Sequence, residues 1–192
     1  TTSIEKTEFI LCNLQGCIFE GMDLSLCNLT DSDLTGANLK EADLSRAVLT
    51  QVNLTKADLE GARLTDCICR TANFTQSTLK DTIFTGADLR FSRFEKAAAS
   101  GADFSNARMD RAAFNDADLK ASRFHKTHLP YSTFSHADCT GADFTGANMR
   151  QSTLHRINDS KAKFKGANLL LAGYTDKDLA EAEDWTPPQP KT

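Results

Sequence analysis

The chain has 192 residues and a net charge of −4, with 40% hydrophobic and 8% aromatic residues. This length allows one domain with a small appendage. No apolar run approaches the about 18 residues of a membrane-spanning helix, and no secretory signal is visible at the N-terminus. DNA-binding surfaces carry a basic excess, so the mild acidity argues against direct contact with nucleic acid. We therefore expect neither a membrane nor nucleic acid as a direct partner.

An apolar residue recurs at every fifth position from Phe9 to Leu169, which gives 33 consecutive central positions without an insertion. Asp159 is the only charged member of this series, and eleven of the twelve phenylalanines belong to it. The second residue before each centre is mostly small, and nine of the ten glycines stand two residues after a centre, where a turn with positive φ favours glycine. A period of five fits neither a helix nor a flat strand. It predicts a chain that buries two side chains in every five and bends after each repeat.

Three units, Ala37–Glu41, Ala57–Gly61 and Ala142–Gly146, show the pattern most clearly. They resemble the pentapeptide-repeat family, whose repeat reads A(D/N)LXX, and the resemblance covers roughly residues 4–174. It implies an all-β fold, a right-handed quadrilateral parallel β-helix. With strands about 4.8 Å apart, about eight coils would form a rod roughly 40 Å long.

The expected domain organisation is a repeat domain over residues 1–174, a helical cap over 175–185 and a proline-rich tail or linker over 186–192. Thr175 begins a sequence that resembles a capping box, which predicts a short helix over about residues 176–184 with Thr175 as its N-cap. Such a cap is expected because an open solenoid exposes strand edges at both ends.

The predicted helix would lay Leu179, Ala182 and Trp185 over the last coil. At the other end, Ile4 is already in phase with the repeat, which leaves almost no room for a cap. An uncapped end coil is therefore a candidate surface for a homodimer.

Residues twenty apart should stack in columns along the rod. Two inner columns consist of phenylalanines, namely Phe74, Phe94, Phe114 and Phe134 in one and Phe84, Phe104, Phe124, Phe144 and Phe164 in the other. Stacked rings would add to the effect of burial. A carboxylate on an inward position is costly, so we expect Asp159 to turn outward at a backbone irregularity or to pair with Arg156.

The cysteines and histidines do not form a recognisable site. All six cysteines fall on inward positions: Cys12, Cys17, Cys27, Cys67, Cys69 and Cys139. Core filling is favoured over zinc or disulfides, because Cys67 and Cys69 lack the CxxC spacing and no second pair follows. Reduced cysteines favour a cytoplasmic location. The histidines, His125, His128, His136 and His155, are assigned to outward positions on different faces, so no metal site is expected.

One outer column is a candidate interaction surface, and it consists of Phe91, Arg111, Tyr131, Gln151 and Leu171. We call these five residues the stripe. Phe91 is the only phenylalanine outside the core series, and surface aromatics beside an arginine are typical of interface anchors. Scattered exposed apolar residues are the alternative interpretation.

The sequence contains no catalytic constellation, so it predicts a non-catalytic protein-interaction module without a cofactor, with an unidentified protein as its partner. The resemblance implies an alternative, because the family includes quinolone-resistance proteins that bind DNA gyrase as strongly negative mimics of DNA. Here the acidic residues are interleaved with 22 lysines and arginines, and no loop interrupts the coils. These departures favour the interaction module over modulation of gyrase or topoisomerase.

Overall fold

The computed structural model describes residues 6–184, which form a square parallel β-helix followed by one α-helix. The β-helix consists of single-residue parallel bridges, from Glu8↔Asn28 to Thr153↔Gly173, and every bridge joins residues twenty positions apart. It is the right-handed β-helix that the five-residue period predicts. Within the described range, no helix has the length and apolar character that crossing a membrane requires.

Each repeat ends in a turn that makes one corner of the square. After the centre Met109, the N–H of Ala112 donates to the Met109 carbonyl at 3.0 Å, and Arg111 between them has a φ of 58°. Nine glycines adopt the same left-handed conformation, but so do 25 other residues. This conformation is strained for residues with a Cβ, so the inter-coil bonds must hold many corners in place.

Backbone hydrogen bonds join each coil to the next. The N–H of a centre donates to a carbonyl 19 residues further on, as from Phe94 to Ala113 at 2.7 Å. In the opposite direction, the N–H of Ala113 donates to the Ser92 carbonyl at 3.1 Å. Because these bonds repeat at every corner, the position of each outward side chain follows from its position in the repeat.

The core contains the two predicted phenylalanine columns. Rings within a column stack, as in Phe94–Phe114 at 4.7 Å between centroids with an interplanar angle of 7°. Rings of the two columns also meet edge to face, as in Phe84–Phe94 at 6.0 Å and 89°. These contacts confirm the columns and add an edge-to-face packing that spacing by twenty does not reveal. Both geometries suit the quadrupole of an aromatic ring.

The core is less covered at its two ends. Phe9 and Leu14 in the first coil and Phe164 and Leu169 in the last one are half-buried. Asp159 is exposed, and the predicted backbone irregularity is wrong, since the bridge between Asp138 and Asn158 and the turn bond from Ala162 to the Asp159 carbonyl at 2.9 Å are intact. The carboxylate is solvated because no coil is stacked above it.

The single α-helix, α1, spans Lys177–Asp184. Its N-cap is Asp176, whose Oδ1 accepts hydrogen bonds from the N–H groups of Asp178 at 3.0 Å and Leu179 at 3.1 Å. The prediction of Thr175 as N-cap is therefore wrong. The Thr175 hydroxyl instead accepts a hydrogen bond from the Arg156 N–H at 3.2 Å, which ties the chain to the solenoid.

The helix does not cover the last coil with apolar side chains, which corrects the prediction for Leu179 and Ala182. Leu179 is 49% exposed, Ala182 is exposed, and α1 has no buried residue. Trp185, the tail over 186–192 and Ile4 lie outside the described residues. The domain boundaries and the homodimer stay predictions.

The cysteines behave as core residues, with a gradient toward the N-terminal end. Cys27, Cys67, Cys69 and Cys139 are buried, and Cys12 and Cys17 in the less covered first coil are half-buried. Burial raises the pKa of Cys69 and Cys139, which keeps both thiols protonated. The sulfur atoms of Cys67 and Cys69 approach within 2.7 Å. The cytoplasmic location stays a prediction.

Candidate interaction surface and C-terminal histidine cluster

The stripe runs along one corner of the solenoid. Phe91 is 51% exposed, Tyr131 is 46% exposed and Leu171 is 67% exposed. Arg111 is exposed between the two aromatic residues, and its guanidinium carbon lies 5.4 Å from the centre of the Tyr131 ring. This contact is a cation–π interaction, which orients Arg111 toward one end of the stripe.

The backbone fixes the spacing of the stripe. The N–H groups of Phe91, Arg111 and Tyr131 donate to carbonyls of the next coil at 2.9, 3.0 and 2.9 Å. All five stripe residues have a φ between 57° and 62°. Each Cα therefore has the same position in its coil, and the side chains project from one straight edge.

The flank of the stripe is less basic than its sequence indicates. Asp88 lies between Arg70 and Arg90, with carboxylate–nitrogen distances of 2.7 Å to each. Burial opposes the charge of this carboxylate, but the hydrogen bonds from Arg90 and Arg70 outweigh burial and lower its pKa to about 2. Two of the three flanking arginines are therefore neutralised locally, and the polar rim is fixed in place.

A second group of functional side chains lies at the C-terminal end and was missed in the sequence. His136 and His155 lie at one corner of adjacent coils, and both contact Glu183 of α1. The distances are 3.3 Å from His136 Nε2 to Glu183 Oε1 and 3.2 Å from His155 Nε2 to Glu183 Oε2. His155 is only 3% exposed, so its assignment to an outward position is wrong, as is the assignment of all four histidines to different faces.

The cluster has a defined protonation pattern. The N–H of Asp176 donates to His155 Nδ1 at 3.1 Å, so His155 is the neutral tautomer that carries its proton on Nε2 and donates to Glu183. The hydrogen bond from His155 is the largest reason why the pKa of Glu183 lies below its ordinary value. Arg156 completes the cluster with contacts to Glu183 at 3.2 Å and Asp184 at 2.6 Å.

Charged columns elsewhere on the solenoid alternate in sign. Glu60 contacts Lys40 at 3.3 Å and Lys80 at 2.9 Å, and these residues come from three consecutive coils. Arg123 contacts Asp103 of the preceding coil at 3.0 Å. Exposed pairs of this kind contribute little to stability, but they remove the continuous negative surface that mimicry of DNA would need.

Together these features define a class of protein, a non-globular repeat protein built as a square parallel β-helix. The sequence profile named pentapeptide repeats matches eight copies within residues 7–46, 27–66, 122–158 and 132–169, and the profile named pentapeptide repeat region matches 57–134. The chain belongs to the pentapeptide-repeat family. A search of curated protein sequences finds no match.

Several solved structures are similar to this chain. A trypsin-treated form of QnrB1, a plasmid-mediated fluoroquinolone resistance protein, is 18% identical with a TM-score of 0.57, over 97% of this chain and 92% of QnrB1. HetL, a pentapeptide repeat protein involved in heterocyst differentiation regulation in the cyanobacterium Nostoc sp. strain PCC 7120, is 22% identical with a TM-score of 0.48, over 87% and 86% of the two chains. A pentapeptide repeat protein from the thylakoid lumen of Arabidopsis thaliana is 28% identical with a TM-score of 0.29, over 66% and 68%. At 18% identity, the likeness to QnrB1 shows a shared fold.

Proposed function

We propose that this protein is a non-catalytic interaction module and that the stripe is its contact surface for a protein partner. The observation that carries the proposal is the placement of Phe91, Arg111 and Tyr131 on one rigid edge. Aromatic residues and arginine supply most of the binding energy in many interfaces. A preordered edge also loses little conformational freedom when a partner binds.

The test compares two triple variants that change equivalent corner positions. The stripe variant carries Phe91→Ala, Arg111→Ala and Tyr131→Ala. The control carries Lys56→Ala, Gln76→Ala and Lys96→Ala, which are also exposed, have positive φ and form a column on another corner. Both sets leave the buried core unchanged, so we expect similar unfolding midpoints.

The measurement is affinity purification from an extract of the source cells, with quantitative mass spectrometry. We expect a partner that the wild type and the control variant recover equally and that the stripe variant recovers at least about tenfold less, since hot-spot truncations cost 2 kcal/mol or more in about this range. Equal recovery by the stripe variant would refute the assignment of the stripe.

The fold shared with QnrB1 supports a second candidate, which is modulation of DNA gyrase or topoisomerase by mimicry of DNA. The match covers 97% of this chain, so the two rods have a comparable extent. The alternating charges around Glu60 count against this candidate. A supercoiling assay with purified gyrase, with and without a quinolone, separates the two, because the interaction module predicts no effect at micromolar protein. Inhibition or protection would favour the second candidate.

A further inference from the structure

The C-terminal cluster brings three ligand-type side chains together across two elements. The candidate ligand atoms of His136, His155 and Glu183 all lie within 4.8 Å of one another. The two histidines come from adjacent coils of the solenoid, and Glu183 comes from α1. His136 and Glu183 are exposed and His155 is buried, so the cluster opens to solvent on one side.

Two imidazoles and one carboxylate form a ligand set that suits a zinc-like divalent transition metal ion. Nitrogen and oxygen ligands lie about 2.0–2.2 Å from tetrahedral zinc, which places them about 3.3 Å from each other. The contacts of Glu183 with His136 and His155 measure 3.3 and 3.2 Å. We propose that His136, His155 and Glu183 bind a divalent transition metal ion of the zinc type, with water as the remaining ligand.

Metal binding exchanges two existing contacts for three coordination bonds. Coordination through Nε2 requires the His155 proton to move to Nδ1, which ends the hydrogen bond from the Asp176 N–H. The carboxylate of Asp176 continues to cap α1 through Asp178 and Leu179. Arg156 gives up its contact with Glu183 but keeps the Ala180 carbonyl at 2.7 Å and Asp184 at 2.6 Å.

The site would fasten α1 to the solenoid. The helix has no buried residue, and the contacts that hold it near Glu183 are polar. A metal ion with ligands on both elements adds a bond that the apolar packing does not provide. Binding and helix docking are then linked, so the metal should slow the opening of α1.

Isothermal titration of the full chain with ZnCl₂ tests the proposal, with Co²⁺ absorption as a second readout. We expect one ion per chain at micromolar affinity and a tetrahedral cobalt spectrum without thiolate charge transfer. The exposed variants His136→Gln and Glu183→Gln should each weaken binding at least about tenfold, as loss of a ligand does. The control is His128→Gln, an exposed histidine at another corner.

The readout specific to this geometry is protection of α1. Zinc should slow cleavage within residues 177–184 in the wild type and in His128→Gln, and it should not do so in His136→Gln. Binding that survives both ligand substitutions, a spectrum with thiolate bands, or cleavage that zinc leaves unchanged in the wild type would overturn the site.

Discussion

Asp88 shows how a residue on the repeat surface becomes specific. Its position before a centre is occupied by Asp or Asn in many repeats. Only the neighbours in space, Arg70 and Arg90, make this carboxylate part of a fixed network with hydrogen bonds of 2.7 Å to each. The repeat places the residue, and the irregular residues around it decide its chemistry.

The substitution Asp88→Asn should destabilise the protein at neutral pH. The pKa of Asp88 is about 2 in the folded chain against an ordinary value of 3.8, so the charged form contributes about 2 kcal/mol of stability. This contribution is fully present above pH 3.8 and is lost as the pH falls through about 2. Urea unfolding at pH 7 and at pH 2 measures it, and the gap between wild type and variant should close at the lower pH.

The control for this prediction is Asp58→Asn. Asp58 forms an ion pair with Lys40 at 3.4 Å, in which both side chains are more than a third exposed. Such a pair contributes little, so the variant should unfold at nearly the wild-type urea concentration. A gap for Asp88→Asn that persists unchanged at pH 2 would show that its effect is not electrostatic.

At the scale of elements, α1 differs from a usual solenoid cap. Caps cover the last coil with apolar side chains, but Leu179 is 49% exposed and the ordered contacts run through Arg156 and His155. The residue pattern predicted a helix at this place and missed how it docks. Docking depends on the direction in which the chain leaves the repeat, and this direction is not encoded in the five-residue period.

Removal of the Arg156 side chain should release α1. Arg156 contacts the Ala180 carbonyl, Glu183 and Asp184, so Arg156→Ala removes a set of charge-assisted hydrogen bonds. We expect a Glu-specific protease to cleave after Glu181 and Glu183 roughly fivefold faster in the metal-free variant, because the open state is more populated. Lys161→Ala, at the next corner of the same coil, is the control. Equal cleavage in the two variants would refute the role of Arg156.

At the scale of the whole molecule, the repeat explains what could be predicted. A period of five fixes the inward positions, and closure after four repeats places Phe94 on Phe114 and Lys40 beside Glu60. The pair His136 and His155 was also within reach, because a separation of 19 residues puts both at one corner of adjacent coils. Glu183 was not, since it belongs to α1, outside the repeat.

The central claim is that the solenoid forms one continuous, rigid rod, because only then do residues from five coils act as one surface. Hydrogen exchange measured by mass spectrometry tests this claim most directly. We predict slow exchange at centre amides in every coil from Leu29 to Met149, since each donates to the next coil at 2.6–2.9 Å, with faster exchange toward the two ends. A rapidly exchanging segment inside this range would contradict the account, because the stripe would then cross two independently moving parts.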